Sequence, residues 1–365
     1  MSTIWVVLLF AACSEEDTIT DMRDAFGIPP TLTEVSKEQF LSQGQEMLDD
    51  NESIDEMISS ERFFRVNEPI KASITSDGKL RLYNFMACNF KNVEVWFSMP
   101  SMKDTLRIVR FQEVPAMYDI RIESPFKMGE VVYESKSGKP VKLKNLALLN
   151  PSQYSLHVSC EDRVFSIIKT IKSNTLIQFG RYGEGNWGLL NPHGARYMAI
   201  GVVQMAAFFS SDVFRDSIMN TKEFLHDDAG VALDRELLIR QILNKEKLVL
   251  GLVTGSGPGY TIDGLGGGEA FGIRESLLPN MYFHNRVVLQ SDYVANVWIH
   301  EFGHTIGYGH SSSMCYGVIS DVLGPKIYRI MMLNKLLPYV VDPFKIMNDY
   351  NPDATTRSAD VKRLI

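Results

Sequence analysis

Residues 300–310, His300-Glu301-Phe302-Gly303-His304-Thr305-Ile306-Gly307-Tyr308-Gly309-His310, carry three of the seven histidines in the chain. His300 and His304 stand at i and i+4. On a helix that spacing stacks both imidazoles on one face, where they can bind a single ion. Glu301 lies beside the first histidine and three residues before the second. It is therefore near the ion without pointing straight at it, as a general base for metal-held water should be. Gly307 falls where a helix can end in a left-handed residue without steric cost, so the chain can turn and bring back His310 as a third ligand. Three neutral imidazoles leave the ion's full charge to act on an open fourth position, and water held there is acidified toward a pKa of ~7. Imidazole donors around an open tetrahedral position suit one Zn2+ ion.

The elements that must position these groups are partly legible. Tyr293, Val294, Ala295, Val297, Trp298, Ile299 and Phe302 make the surrounding segment apolar nearly all round. This predicts a buried helix over about 292–306, with Ser291 or Asp292 as its N-cap. Polar imidazoles on such a helix cost free energy unless bonded or metallated. Upstream, "LDRELLIRQILNKEK" (233–247) has apolar residues at helical spacing, and "LVLGLVTG" (248–255) reads as a buried strand. "ARYMAIGVVQMAAFF" has no clear period and fits either a buried strand or a helix. "GSGPGYTIDGLGGGEAFGI" (255–273) is too glycine-rich for regular structure before about Glu269, and it lacks the Gly-Lys-Ser/Thr of a phosphate loop, so it reads as a loop.

The motif H-E-x-x-H-x-x-G-x-x-H resembles that of the metzincin clan of zinc endopeptidases. The resemblance implies a methionine-containing turn beneath the metal, and "SSSMCYG" (311–317) is similar to it, with Met314 as the turn residue. The Met-x-Tyr order resembles that of astacin-like and serralysin-like members, whose tyrosine can ligate the resting metal or support the oxyanion, and the resemblance implies a catalytic role for Tyr316. Ser311 is matrixin-like instead, and only three residues separate His310 from Met314, a tight spacing for the clan. The resemblance also implies a strand bordering the cleft that pairs with extended substrate, for which "GEAFGIRESLL" (268–278) is the candidate by position. "LGPKIYRIMMLNKLLPYV" resembles the helix that closes the lower half of such a domain. His157, His193, His226 and His284 stand alone and are assigned no role.

The rest of the chain sets the frame. Its 365 residues allow two ordinary domains. A 45% apolar and 22% charged composition belongs to a globular protein, and the net charge of −7 argues against nucleic acid, which would favour a basic face. Residues 4–12 form an apolar run too short to span a bilayer but fitted to the core of an export signal. With Ala11 and Ala12 before Cys13, and Ser14-Glu15-Glu16-Asp17 behind it, the start resembles a lipoprotein signal. That implies lipidation of Cys13, a lipid anchor as the only membrane contact, and a place on the outer membrane or cell surface of a Gram-negative bacterium. Cys88 and Cys160 lie in strand-like stretches, and whether they pair stays open.

The expected fold class is α+β. Residues 1–12 would be the signal, and 13–60 a tether with a short helix over 37–48. Residues 61–174 would form a β-sandwich-like domain, with a hairpin at Asp77-Gly78 and "VFSIIKTI" as a possible last strand. Residues 175–365 would form a zinc metallopeptidase domain with a mixed sheet and an active-site helix. The expected function is endopeptidase cleavage of extracellular proteins, with metal-bound water activated by Glu301. The alternative is a surface lipoprotein that binds glycan or host protein through its β-domain, with a structural or degenerate metal site. The partner is a protein or peptide substrate, and the oligomeric state is open, a monomer being expected.

Overall fold

The computed structural model describes residues 19–20, 30–254, 256–257, 260–282 and 288–344. The signal-like run, Cys13 and His284 lie outside the described residues. The fold is α+β, with sheets in both halves of the chain. In the N-terminal half, one sheet runs Ile19–Thr20, Pro140–Lys144, Glu130–Ser135, Leu106–Val114, Phe90–Ser98, Ser155–Ser159, and a second runs Gln45–Glu46, Tyr118–Ile122, Leu80–Asn84, Ile70–Ile74. The turn at Asp77-Gly78 joins Ile70–Ile74 to Leu80–Asn84 in antiparallel register, with Ile74 opposite Leu80 and Gly78 at φ +79°. The ring of Phe40 stands edge-on to Phe111 of the first sheet and Tyr118 of the second, so both sheets share one core.

Residues 30–60 are not the tether expected from their polarity. Thr33–Val35 adds a parallel strand beside Leu106–Val114, and Gln45–Glu46 extends the second sheet. The helix is shorter than expected, Lys37–Gln43, capped by Ser36 and stopped at Gly44. Val35, Phe40, Met47, Leu48 and Met57 are buried. A few large apolar residues thus anchor a segment whose average composition is acidic.

"VFSIIKTI" is a helix, Arg163–Ile168, not a strand. Asp162 caps it by accepting from the Val164 N–H, and Val164, Phe165 and Ile168 bury one face at helical spacing. "ARYMAIGVVQMAAFF" lies in the helix Pro192–Ser210, started by Asn191 accepting from Gly194 N–H and by Pro192 in the first turn. It is buried on nearly every side, which is why no period shows. No single helix among the described residues is long and apolar enough to cross a membrane.

The sheet that carries the site is mixed. Its order is Gly264–Gly267, Ala270–Arg274, Lys247–Val253, Leu176–Phe179, Phe64–Arg65. The three middle strands run parallel and the two outer ones antiparallel. Its last strand comes from residues 64–65, so this sheet crosses the boundary expected at 174/175. The glycine-rich segment is not a loop: Gly264–Gly267 and Ala270–Arg274 form a hairpin. The edge strand is therefore Gly264–Gly267, and "GEAFGIRESLL" supplies the strand inside it. Glycine serves close approach here. A Cβ at Gly272 or Gly251 would strike Trp187, which stacks on Tyr182, and one at Gly264 or Gly266 would strike Glu301.

The site helix, Val288–Thr305, packs on this hairpin and on the helix Gly324–Leu333. It starts before Ser291 and Asp292, so neither is its N-cap; Asp292 lies inside it and pairs with Arg329. Trp298 lies where a Cβ on Gly201 of the long helix would be, at 2.7 Å from its Cζ2, so the glycine lets the two helices close on each other.

Candidate metal centre

The last turn of the site helix presents His300 and His304 side by side. His300 Nδ1 bonds the Cys315 carbonyl at 2.5 Å, and His304 Nδ1 bonds the Tyr308 carbonyl at 2.7 Å. With Nδ1 as donor on both rings, Nε2 keeps its lone pair, and the two Nε2 atoms face each other at 3.1 Å. Two ligands about 2.05 Å from a tetrahedral zinc would lie about 3.3 Å apart. Two lone pairs facing each other need a cation or a proton between them. His310 completes the group: ligand atoms of the three histidines all lie within 4.8 Å of one another. Burial and the neighbouring His304 and His310 push the His300 pKa down, which keeps its imidazole neutral. The donor set therefore fits a metal ion.

The route to His310 is set by how the helix ends. The Tyr308 N–H bonds Gly303 O at 3.0 Å and the Gly307 N–H bonds His304 O at 3.2 Å, the paired closure of a Schellman motif. Gly307 sits at φ +96°, the left-handed conformation that this closure needs. Lys245, from the turn before the central strand, donates to Thr305 O and Gly268 O, both at 2.7 Å. One ammonium thus ties the carbonyl end of the site helix to the tip of the edge hairpin.

Glu301 is buried and faces the hairpin. Its Oε1 lies 4.0 Å from His300 Nε2. Burial raises its pKa to about 7, against the Gly266 backbone N–H, whose bond favours the carboxylate. A Cβ on Gly264 would lie 2.9 Å from Glu301 Oε1, so that glycine vacates the volume the carboxylate occupies.

Met314 and Cys315 are fully buried under the helix, and Gly303 makes the room: a Cβ there would lie 2.7 Å from Cys315 Sγ and 2.9 Å from Met314 Cγ. Burial drives the Cys315 thiol up to about 12. The carbonyl that orients His300 is itself held, since Ser320 Oγ donates to Cys315 O at 2.7 Å. Asp321 accepts from Asn296 Nδ2 and from the Gly317 N–H, fixing the turn at Gly317, φ +102°. Tyr316 is half exposed, its ring 4.6 Å from that of His300 and 5.0 Å from that of His310.

The sequence residues His300, Glu301, His304, His310, Gly307, Met314 and Tyr316 thus come together. Sequence reasoning missed the supporting residues Lys245, Gly264, Gly266, Ser320 and Asp321, and the loop at 226–228, whose only signal is the turn composition Asp227-Asp228-Ala229-Gly230. His157 bonds Ser98 and His193 packs on Tyr197, both away from the metal group. Cys88 and Cys160 are free thiols.

A groove runs between the site helix and the helix Gly324–Leu333. It is lined by Tyr293, Asn296, Asp321, Val322 and Lys326 among others. No protein-family model matches this chain, and neither a curated protein nor a solved structure is similar to it.

Proposed function

We propose that the chain is a zinc-dependent endopeptidase of metzincin type, with a β-sandwich-like unit ahead of the metallopeptidase unit. One observation carries the reading: two Nε2 atoms whose tautomers are fixed by carbonyls converge with a third histidine, 4.0 Å from a buried carboxylate. A purely structural site would have no use for that carboxylate, whose burial costs free energy. His300, His304 and His310 would hold the ion. When bound, it supplies Lewis acidity to a peptide carbonyl and lowers the pKa of water.

The remaining work falls to the chain. Glu301 accepts a proton from water on its Oε1 and passes it to the leaving amine, for which a pKa near neutrality is suited. Tyr316, beside His300 and His310, donates its hydroxyl proton to the oxygen where negative charge develops. The open side of Gly264–Gly267 offers backbone donors and acceptors to an extended peptide. Cys13 and the lipid anchor enter this proposal on the sequence alone.

Glu301→Gln is the test. The variant should keep one equivalent of zinc and lose casein- or gelatin-cleaving activity by about 10²–10⁴-fold. Wild-type turnover in that variant would remove the assignment.

A further inference from the structure

Two of the three histidines are oriented through their own rings, by the Cys315 and Tyr308 carbonyls. Among the described residues the His310 ring has no such hydrogen bond. His310 is also exposed, lies outside any helix or strand, and follows Gly307 and Gly309 in a segment with little stiffness of its own. Something else must aim it.

The loop at 226–228 does so. Asp228 accepts from the Gly309 N–H at 2.7 Å and from the Ser311 N–H at 3.2 Å, one on each side of His310. The same loop is zipped to the chain two residues on: the His226 N–H donates to Ser313 Oγ at 3.0 Å and the Ser313 N–H to His226 O at 2.9 Å. Asp227 in turn braces the loop by accepting from the Ala229 and Val231 N–H groups, both at 2.9 Å. Gly309 leaves the space that the clamp needs, since a Cβ there would lie 2.6 Å from Asp228 Oδ1.

We infer that Asp228 is the positioning residue that presents His310 as the third metal ligand. It acts through the Gly309 and Ser311 amides and touches neither metal nor substrate. The inference rests on reading His300, His304 and His310 as metal ligands. Two charge-assisted bonds bracketing one residue fix its backbone on both sides. Without them the segment has to be ordered when the ion binds, and that entropy comes out of metal affinity.

The experiment is zinc affinity by chelator competition on the full chain, together with the absorption spectrum of the Co2+-loaded protein. Asp228→Ala should weaken zinc by about 10–100-fold and change the Co2+ spectrum, as loss of a ligand's support does. The melting temperature of the metal-free protein should stay within about 2 °C, because Asp228 is exposed. Gly309→Ala should reproduce the affinity loss with Asp228 still present, and it carries the test if Asp228→Ala fails to fold. Unchanged affinity and an unchanged Co2+ spectrum in the variant that folds would overturn the proposal. A wild-type protein that binds no zinc would instead overturn the metal reading beneath it, and that result is visible before any variant is made.

Discussion

Glu301 is held by residues that lack side chains. Gly264 and Gly266 lie against it, and either Cβ would overlap the glutamate. Gly267, in the same run, has open space around its missing Cβ. The two positions make a controlled pair. Gly264→Ala should push the Glu301 side chain off its position and cut peptide cleavage by at least about 10-fold, a loss typical of sub-ångström misplacement, with zinc still bound. Gly267→Ala should leave turnover within about 2-fold. Equal effects from both substitutions would show that the glycines set strand flexibility and not the volume around the base. The same logic explains why the five motif residues are legible in sequence and their supports are not. Metal ligands announce themselves by residue type and fixed spacing. The groups that orient them are mostly backbone carbonyls, at Cys315 and Tyr308, or glycines whose role is set by a distant side chain, and neither carries a signal of its own.

At the scale of elements, the site is a junction between the carbonyl end of one helix and the tip of one hairpin. Lys245 bonds both, and burial lowers its pKa without separating it from the two carbonyls. Lys245→Met keeps much of the aliphatic stem and removes the ammonium, leaving Thr305 O and Gly268 O without this donor. It should cost about 1–3 kcal/mol in denaturant unfolding, and it should raise KM for peptides more than it lowers kcat, because the hairpin edge would shift while the ligands stay. A loss confined to kcat would place the lysine's influence on the ligands instead. Here the sequence misleads in an instructive way. The glycine-rich residues before about Glu269 read as a loop because local propensity penalises glycine in strands, yet Gly264–Gly267 pairs into a hairpin whose missing Cβ atoms leave room for Glu301 at Gly264 and for Trp187 at Gly272. The helix Pro192–Ser210 was ambiguous for a related reason: burial on nearly all sides erases the apolar period that distinguishes helix from strand.

Across the whole molecule, the two halves are joined by more than a linker. Phe64–Arg65 completes the site-bearing sheet by pairing with Leu176–Ile177, and the Val66 N–H bonds Thr175 O at 3.1 Å. From the other end, Tyr339 Oη accepts from the Ala87 N–H at 2.8 Å. Arg163 donates to the carbonyls of Lys335, Leu337 and Pro338. Arg196 reaches Leu48 O at 2.7 Å. A continuous hydrophobic core runs from Val35 to Tyr339. The chain should therefore unfold as one unit, because separating the halves would strand buried polar groups on both sides, each costing about 1–3 kcal/mol. Urea unfolding followed by near-UV circular dichroism and by zinc release should give coincident midpoints. A fragment covering 175–365 alone, with its outer strand gone and the Tyr339 hydroxyl cut off from the Ala87 N–H, should fail to give a cooperative transition and should bind ANS. A fragment that melts sharply and cleaves casein would show that the site-bearing sheet closes without residues 64–65, and that the shared core is a docked surface between independent folding units.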